Sequence, residues 1–127
     1  MALPLLLCGI VLLWIGGFDI IYSLQDAEFD RKNGLRSIPA KLGGARALMV
    51  SRTFHLLMVG LLLLLGVTAH MGALYFVGAG ITAALIIYEQ SIVSATDLSR
   101  VNLAFFTLNG WVSVSLFIFT ALDVATR

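Results

Sequence analysis

The side chains able to do chemistry in this sequence are gathered in one segment, Asp19-Ile-Ile-Tyr-Ser-Leu-Gln-Asp-Ala-Glu-Phe-Asp30. On a helix at about 100° per residue, Asp19, Tyr22, Asp26 and Asp30 share one narrow face, at spacings of three, four and four. Ile20, Ile21, Leu24 and Phe29 fall off that face. Carboxylates stacked in this way repel one another, the more so beside a membrane where the dielectric is low. A divalent cation relieves the repulsion. Magnesium is the cation held by one or two carboxylates while substrate phosphates and water complete its shell, so the stripe suits a diphosphate bound through Mg2+. Asp26 and Asp30 read as part of such a site, and Glu28, off the stripe, reads as an ordinary solvated helix end. Arg31, Lys32 and Arg36 follow directly, and Lys32 and Arg36, four apart, present one face to a diphosphate. Asp19 lies nearest the apolar run before it, where an ionisable group is costly and by default functional.

The elements that must position this stripe are membrane helices. The chain has 127 residues, of which 60% are hydrophobic and only 12% charged, against roughly a quarter charged in soluble domains. A span needs about 20 mostly apolar residues. Uncharged runs cover 1–18, 53–88 and 101–122, and the middle one has the length of two spans, with its break at Ala69-His70-Met71-Gly72. The expectation is an all-α membrane protein with four transmembrane helices, at about 2–24, 46–68, 72–93 and 101–122, and a motif loop at 25–45. No Lys or Arg precedes the first run, so it reads as a span and not a signal peptide. Six of the eight basic residues lie in the loop ending at Arg46 or at Arg100. The positive-inside rule then places both loops in the cytoplasm and His70 on the other side, as a multi-pass protein of the inner (plasma) membrane, in contact with membrane lipid. The net charge of +1 points to no nucleic-acid partner, and lone Cys8 makes no internal disulfide.

The pattern Asp19-x-x-Tyr22-x-x-x-Asp26-x-x-x-Asp30-x-Lys32-x-Gly34-x-x-Ser37 resembles the second aspartate-rich motif of the UbiA family of membrane prenyltransferases. A second stretch, Asp97-Leu-Ser-Arg-Val-Asn-Leu-Ala-Phe-Phe-Thr-Leu-Asn-Gly110, is similar to the opening of the last helix in the branch that prenylates 4-hydroxybenzoate and menaquinone precursors. The resemblance implies magnesium-dependent transfer of a polyprenyl group from polyprenyl diphosphate to an aromatic acceptor in quinone biosynthesis. It implies Asp26 and Asp30 as magnesium ligands and Lys32, with Arg36, as diphosphate contacts. Asp19, Tyr22 and Asn109 become candidate catalytic residues of the same chamber, and Phe105 and Phe106 candidates to shield a carbocation. Family members have nine helices and two aspartate-rich motifs. The first motif is absent from these residues, so residues 1–127 resemble the C-terminal portion, a partial domain of the last four helices. This predicts that the chain alone does not turn over, its partner being the missing N-terminal half that carries the first motif. A gene fragment, a mis-started frame and half of a split protein are equally compatible with that reading.

Three other readings compete. A CDP-alcohol phosphotransferase needs an Asp-Gly-x-x-Ala-Arg segment that the chain lacks. Another UbiA branch, for haem or chlorophyll prenylation, fits the Asn102 to Gly110 stretch less well. A non-catalytic bundle that binds a cation is the remaining alternative. Asn102, Phe106, Asn109 and Ser113 share an α-helical face expected to point into the bundle, where interhelical hydrogen bonding explains the asparagines as well as function does. Glu89-Gln90 stands where the resembling branch reads Glu-His, so an acid–base role at Gln90 is doubtful. His55 and His70 have no ligand partners at metal-binding spacing. Trp14, Trp111, Tyr75 and Tyr88 read as interfacial or packing residues, and Leu61 to Leu65 as lipid-facing filler. Gly60, Gly66, Gly78, Ala79 and Ala83 are expected to approach helices outside this chain.

Overall fold

A computed structural model describes residues 2–24, 30, 32–35, 38–93, 99 and 102–126. Asp26, Glu28, Arg31, Arg36, Ser37, Asp97 and Arg100 lie outside the described residues, as do the side chains of Leu103, Ala104 and Phe105. The elements are helices α1 (Ala2–Ser23), α2 (Ile38–Leu42), α3 (Gly44–Thr68) and α4 (Ala73–Ile92), a π-helix (Leu103–Leu108) and α5 (Asn109–Thr126). Four of them are long and apolar enough to cross a membrane: α1, α3, α4 and the continuous stretch Phe106–Thr126. Their outward surfaces are apolar. Leu12, Leu56 and Phe117 are each more than 70% exposed, which suits hydrocarbon and not water.

α1 lies antiparallel along α3, and small residues set the approach. A Cβ at Gly9 would sit 3.1 Å from Leu61, one at Gly16 3.1 Å from the Phe54 ring, and one at Gly17 would run into the His55 ring. Close approach at small residues is how membrane helices gain packing contact without a hydrophobic driving force. α4 and α5 pair the same way, with Gly78 against Phe119. One core cluster, Ile10, Met58, Leu62, Ile86 and Val112, ties all four spans together. Another, including Ile20, Ile21, Leu24, Leu48 and Val93, fills the end where α1 finishes.

Two sequence expectations change here. Leu62 is buried at 2% exposure, so only part of the leucine run meets lipid; Leu63 and Leu64 are exposed and Leu62 is one turn before buried Gly66. Gly66 and Gly78 also find their neighbours within the chain, at Tyr75 and Phe119, whereas Gly60 faces open space.

The end of the bundle at His70 is closed by hydrogen bonds. α3 stops in a Schellman turn: Met71 N donates to Gly66 O at 2.8 Å and His70 N to Val67 O at 3.2 Å. His70 takes the left-handed conformation the turn requires, with φ 56°. α4 begins three residues after His70, at Ala73, and its N-terminus is capped from α5. The buried Asp123 carboxylate accepts from Gly72 N at 2.8 Å and from Tyr75 N at 3.4 Å. An acidic group at a helix N-terminus satisfies orphan donors and matches the helix dipole. Tyr75 adds a hydroxyl bond to Leu62 O at 2.6 Å.

Candidate functional site

The opposite end holds the aspartates. α1 carries Asp19 and Tyr22 in its last two turns, both on its exposed side, one turn apart as their spacing of three requires. Asp19 lies in a shallow cavity of about 290 Å³ with Gly16, Ile20, Ser23 and Phe54. The Tyr22 ring meets the Phe106 ring edge to face, with centroids 6.0 Å apart and planes at 85°. Thus the start of the last span is drawn against the end of the first, and the two stretches singled out in the sequence become neighbours at Tyr22 and Phe106.

Asp30 and Lys32 are both helical, Asp30 half-buried and Lys32 exposed. Their helix ends at once. Leu35 N reaches back to Asp30 O at 2.8 Å around Gly34, whose φ of 68° a glycine adopts without strain. The motif's Gly therefore terminates the turn that carries its last aspartate. Asp26 and Arg36, expected as metal ligand and diphosphate contact, fall outside the described residues. Among the described residues no three His, Cys, Asp or Glu side chains converge into a metal-binding group. Asp19 and Asp30 form no salt bridge among the described residues. Their carboxylates are open to a hydrated divalent cation, the donor chemistry that magnesium uses.

Asn109 opens α5 directly after the π-helix. It is half-buried, and its Oδ1 is buried with no hydrogen-bond partner among the described residues. Asn102, Phe106 and Ser113, expected on the same face, are exposed on the four described spans. That expectation used α-helical spacing. The wider turn of Leu103–Leu108 bonds i to i+5 and breaks the register between Asn102 and Asn109. Turns of this kind are frequent at functional sites.

A second polar group, missed from the sequence, lies within the membrane spans at the α1–α3–α4 contact. Ser51, His55, Glu89 and Gln90 are all buried. Ser51 Oγ donates to Gly17 O at 2.8 Å, so it must accept from Gln90 Nε2 at 3.0 Å. The same Gln90 nitrogen lies 3.0 Å from His55 Nδ1. That makes Nδ1 the acceptor and leaves Nε2–H to donate to Trp14 O at 3.3 Å. Glu89 Oε1 stands 3.6 Å from the same Nδ1, beyond hydrogen-bond range, and neither Glu89 oxygen has a hydrogen-bond partner among the described residues. Two sequence signals were available: Ser51 and His55 are i, i+4 in an apolar span, and Glu89 is an ionisable residue inside a helix long enough to cross a membrane.

Residues 1–114 match the UbiA prenyltransferase family. Similar proteins include the 4-hydroxybenzoate octaprenyltransferase of Xanthomonas campestris pv. campestris (strain B100), 32% identical over 116 residues that cover 91% of this chain and 38% of that protein. The 4-hydroxybenzoate octaprenyltransferase of Marinobacter nauticus is 28% identical over 113 residues, 89% of this chain and 38% of its own length. Among solved structures, the apo structure of a UbiA homolog from Aeropyrum pernix K1 matches with a TM-score of 0.83 at 37% identity, over 95% of this chain and 42% of that one. The chain thus spans 38% of the length of those two enzymes.

Proposed function

The chain belongs to the UbiA prenyltransferase family, and from that premise we propose that it supplies one side of an active site that transfers a polyprenyl group from polyprenyl diphosphate to an aromatic acceptor such as 4-hydroxybenzoate. The observation that carries this reading is the meeting of Tyr22 and Phe106 beside Asp19, which joins the aspartate-bearing end of the first span to the start of the last within the family match. In this reading residues 1–127 are a partial UbiA domain with its motif loop at 25–45. That loop and the one ending at Arg100 face the cytoplasm, because the basic residues lie there.

Asp26 and Asp30 would hold magnesium, and Lys32 and Arg36 would contact the diphosphate oxygens. Bound magnesium neutralises charge on the departing diphosphate. The allylic C–O bond breaks, diphosphate leaves with the electron pair, the acceptor ring carbon ortho to its hydroxyl forms the new C–C bond, and the ring loses a proton. Asp19, Tyr22 and Asn109 line the polar chamber on the protein side. The Tyr22 and Phe106 rings supply π-density beside the developing cation. The apolar outer surface leaves the long isoprenoid in hydrocarbon.

The relatives' remaining length would bring the other aspartate-rich motif, so the isolated 127 residues are expected to be inactive. Losing one side of the diphosphate clamp, at ~4 kcal/mol of transition-state stabilisation, costs about a thousandfold in rate. The test is an assay of the purified chain with a prenyl diphosphate, 4-hydroxybenzoate and magnesium, repeated after co-expression with an N-terminal half from a relative. Product only on co-expression is the expected result. Product from the chain alone would overturn the shared-site reading, and none in either case would favour a non-catalytic bundle.

A further inference from the structure

A groove between α3 and α4, on the far side of their helix pair from Tyr22 and Phe106, has no part in the proposed reaction. It encloses about 350 Å³. Leu56, Ala83 and Ile87 wall it, His55 and Gln90 form its polar boundary, and Arg52 stands at one end. Arg52 and Gln90 share a level in the membrane, because Ser51, next to Arg52, is the residue that Gln90 bonds. That level is the edge of the hydrocarbon. Arg52 is the last charged residue before the uncharged run 53–88, and Glu89 is the first after it.

The groove has two chemical requirements. Its walls are apolar and open to lipid. Arg52 is exposed and makes no ion pair among the described residues, so an anion is wanted at the headgroup level. An acyl chain satisfies the first requirement and a lipid phosphate the second.

We propose that the α3–α4 groove is a binding site for an anionic phospholipid, its phosphate on Arg52 and an acyl chain along Leu56, Ala83 and Ile87. A choline headgroup is disfavoured here, since it brings its own cation beside Arg52.

Native mass spectrometry of the detergent-purified 127-residue chain tests the assignment, with phosphatidylglycerol, phosphatidylcholine and soluble glycerol phosphate as probes. Phosphatidylglycerol should be retained about fivefold better than phosphatidylcholine, the factor expected for one basic residue at an anionic surface, and glycerol phosphate should not be retained. Arg52→Gln, at an exposed position where folding is not at stake, should reduce phosphatidylglycerol to the phosphatidylcholine level. Ala83→Phe should reduce both lipids by filling the trough. Equal retention of the two lipids, no effect of Arg52→Gln, or glycerol phosphate binding as well as the lipid would each overturn the proposal.

Discussion

Aspartates stand at both ends of this bundle and are used in opposite ways. At the His70 end, Asp123 is buried and spends both oxygens on backbone N–H groups that α4 would otherwise leave unpaired. At the other end, Asp19 is exposed and Asp30 half-buried, and neither forms a salt bridge among the described residues. A carboxylate already satisfied by the protein holds helices together. One left open at a membrane edge keeps its oxygens available to a ligand. The difference sets the capping aspartate apart from the open ones more sharply than their sequence context does, since Asp19 and Asp123 each border an apolar run.

The widest separation of the two ends is topological. We predict that His70→Cys, in a chain whose native Cys8 is replaced by Ser, is labelled by a membrane-impermeant thiol reagent in intact cells. A cysteine placed at Lys32 should not be. The contrast should be all or none, and labelling at Lys32 would reverse the orientation argued from the basic residues. Next comes chemistry. In a full-length relative carrying this half, Asp30→Asn should cut prenyl transfer about a thousandfold, equivalent to ~4 kcal/mol, with insertion and thermal stability unchanged. Glu28→Gln should be far milder, and equal loss from both would mean that general negative charge, not a metal ligand, is what matters. The smallest effect belongs to the closed end. Asp123→Ala should lower stability by about 3 kcal/mol, the range for losing hydrogen bonds to a buried charged group, read as earlier thermal unfolding in detergent. An unchanged transition there would show the cap on α4 to be dispensable.

The helical membrane architecture was legible in the sequence because span length and charge exclusion are properties of single segments. The ends of the spans were less so, for identifiable reasons. The second span was expected from about 46, and α3 begins two residues earlier, at Gly44, with Arg46 and Arg52 in its first turns. Asp123 looks like a terminator, yet α5 runs on to Thr126 because that carboxylate turns inward to cap a neighbour. The Ser51–His55–Gln90 junction was not legible, since its partners are 35 to 39 residues apart and no local pattern announces that they meet. The π-helix at Leu103–Leu108 was likewise hidden, because a stretch of α-periodic apolar residues does not declare a wider turn. The aspartate stripe was readable as a pattern, and Asp19 and Tyr22 do lie on one exposed side of α1.

The Schellman turn at His70 also constrains how the chain lies in the bilayer. Ala69 to Gly72 are the only residues between α3 and α4, and four residues reach about 14 Å when fully extended. The hydrocarbon core is about 30 Å thick, so a link this short cannot cross it, and the two helix ends it joins lie at the same face of the bilayer. With both helices spanning, they form a hairpin whose two feet share the opposite face. By the positive-inside rule, Arg46 and Arg52 at the hairpin's first foot would then orient α4 as well, although α4 has no basic residue of its own.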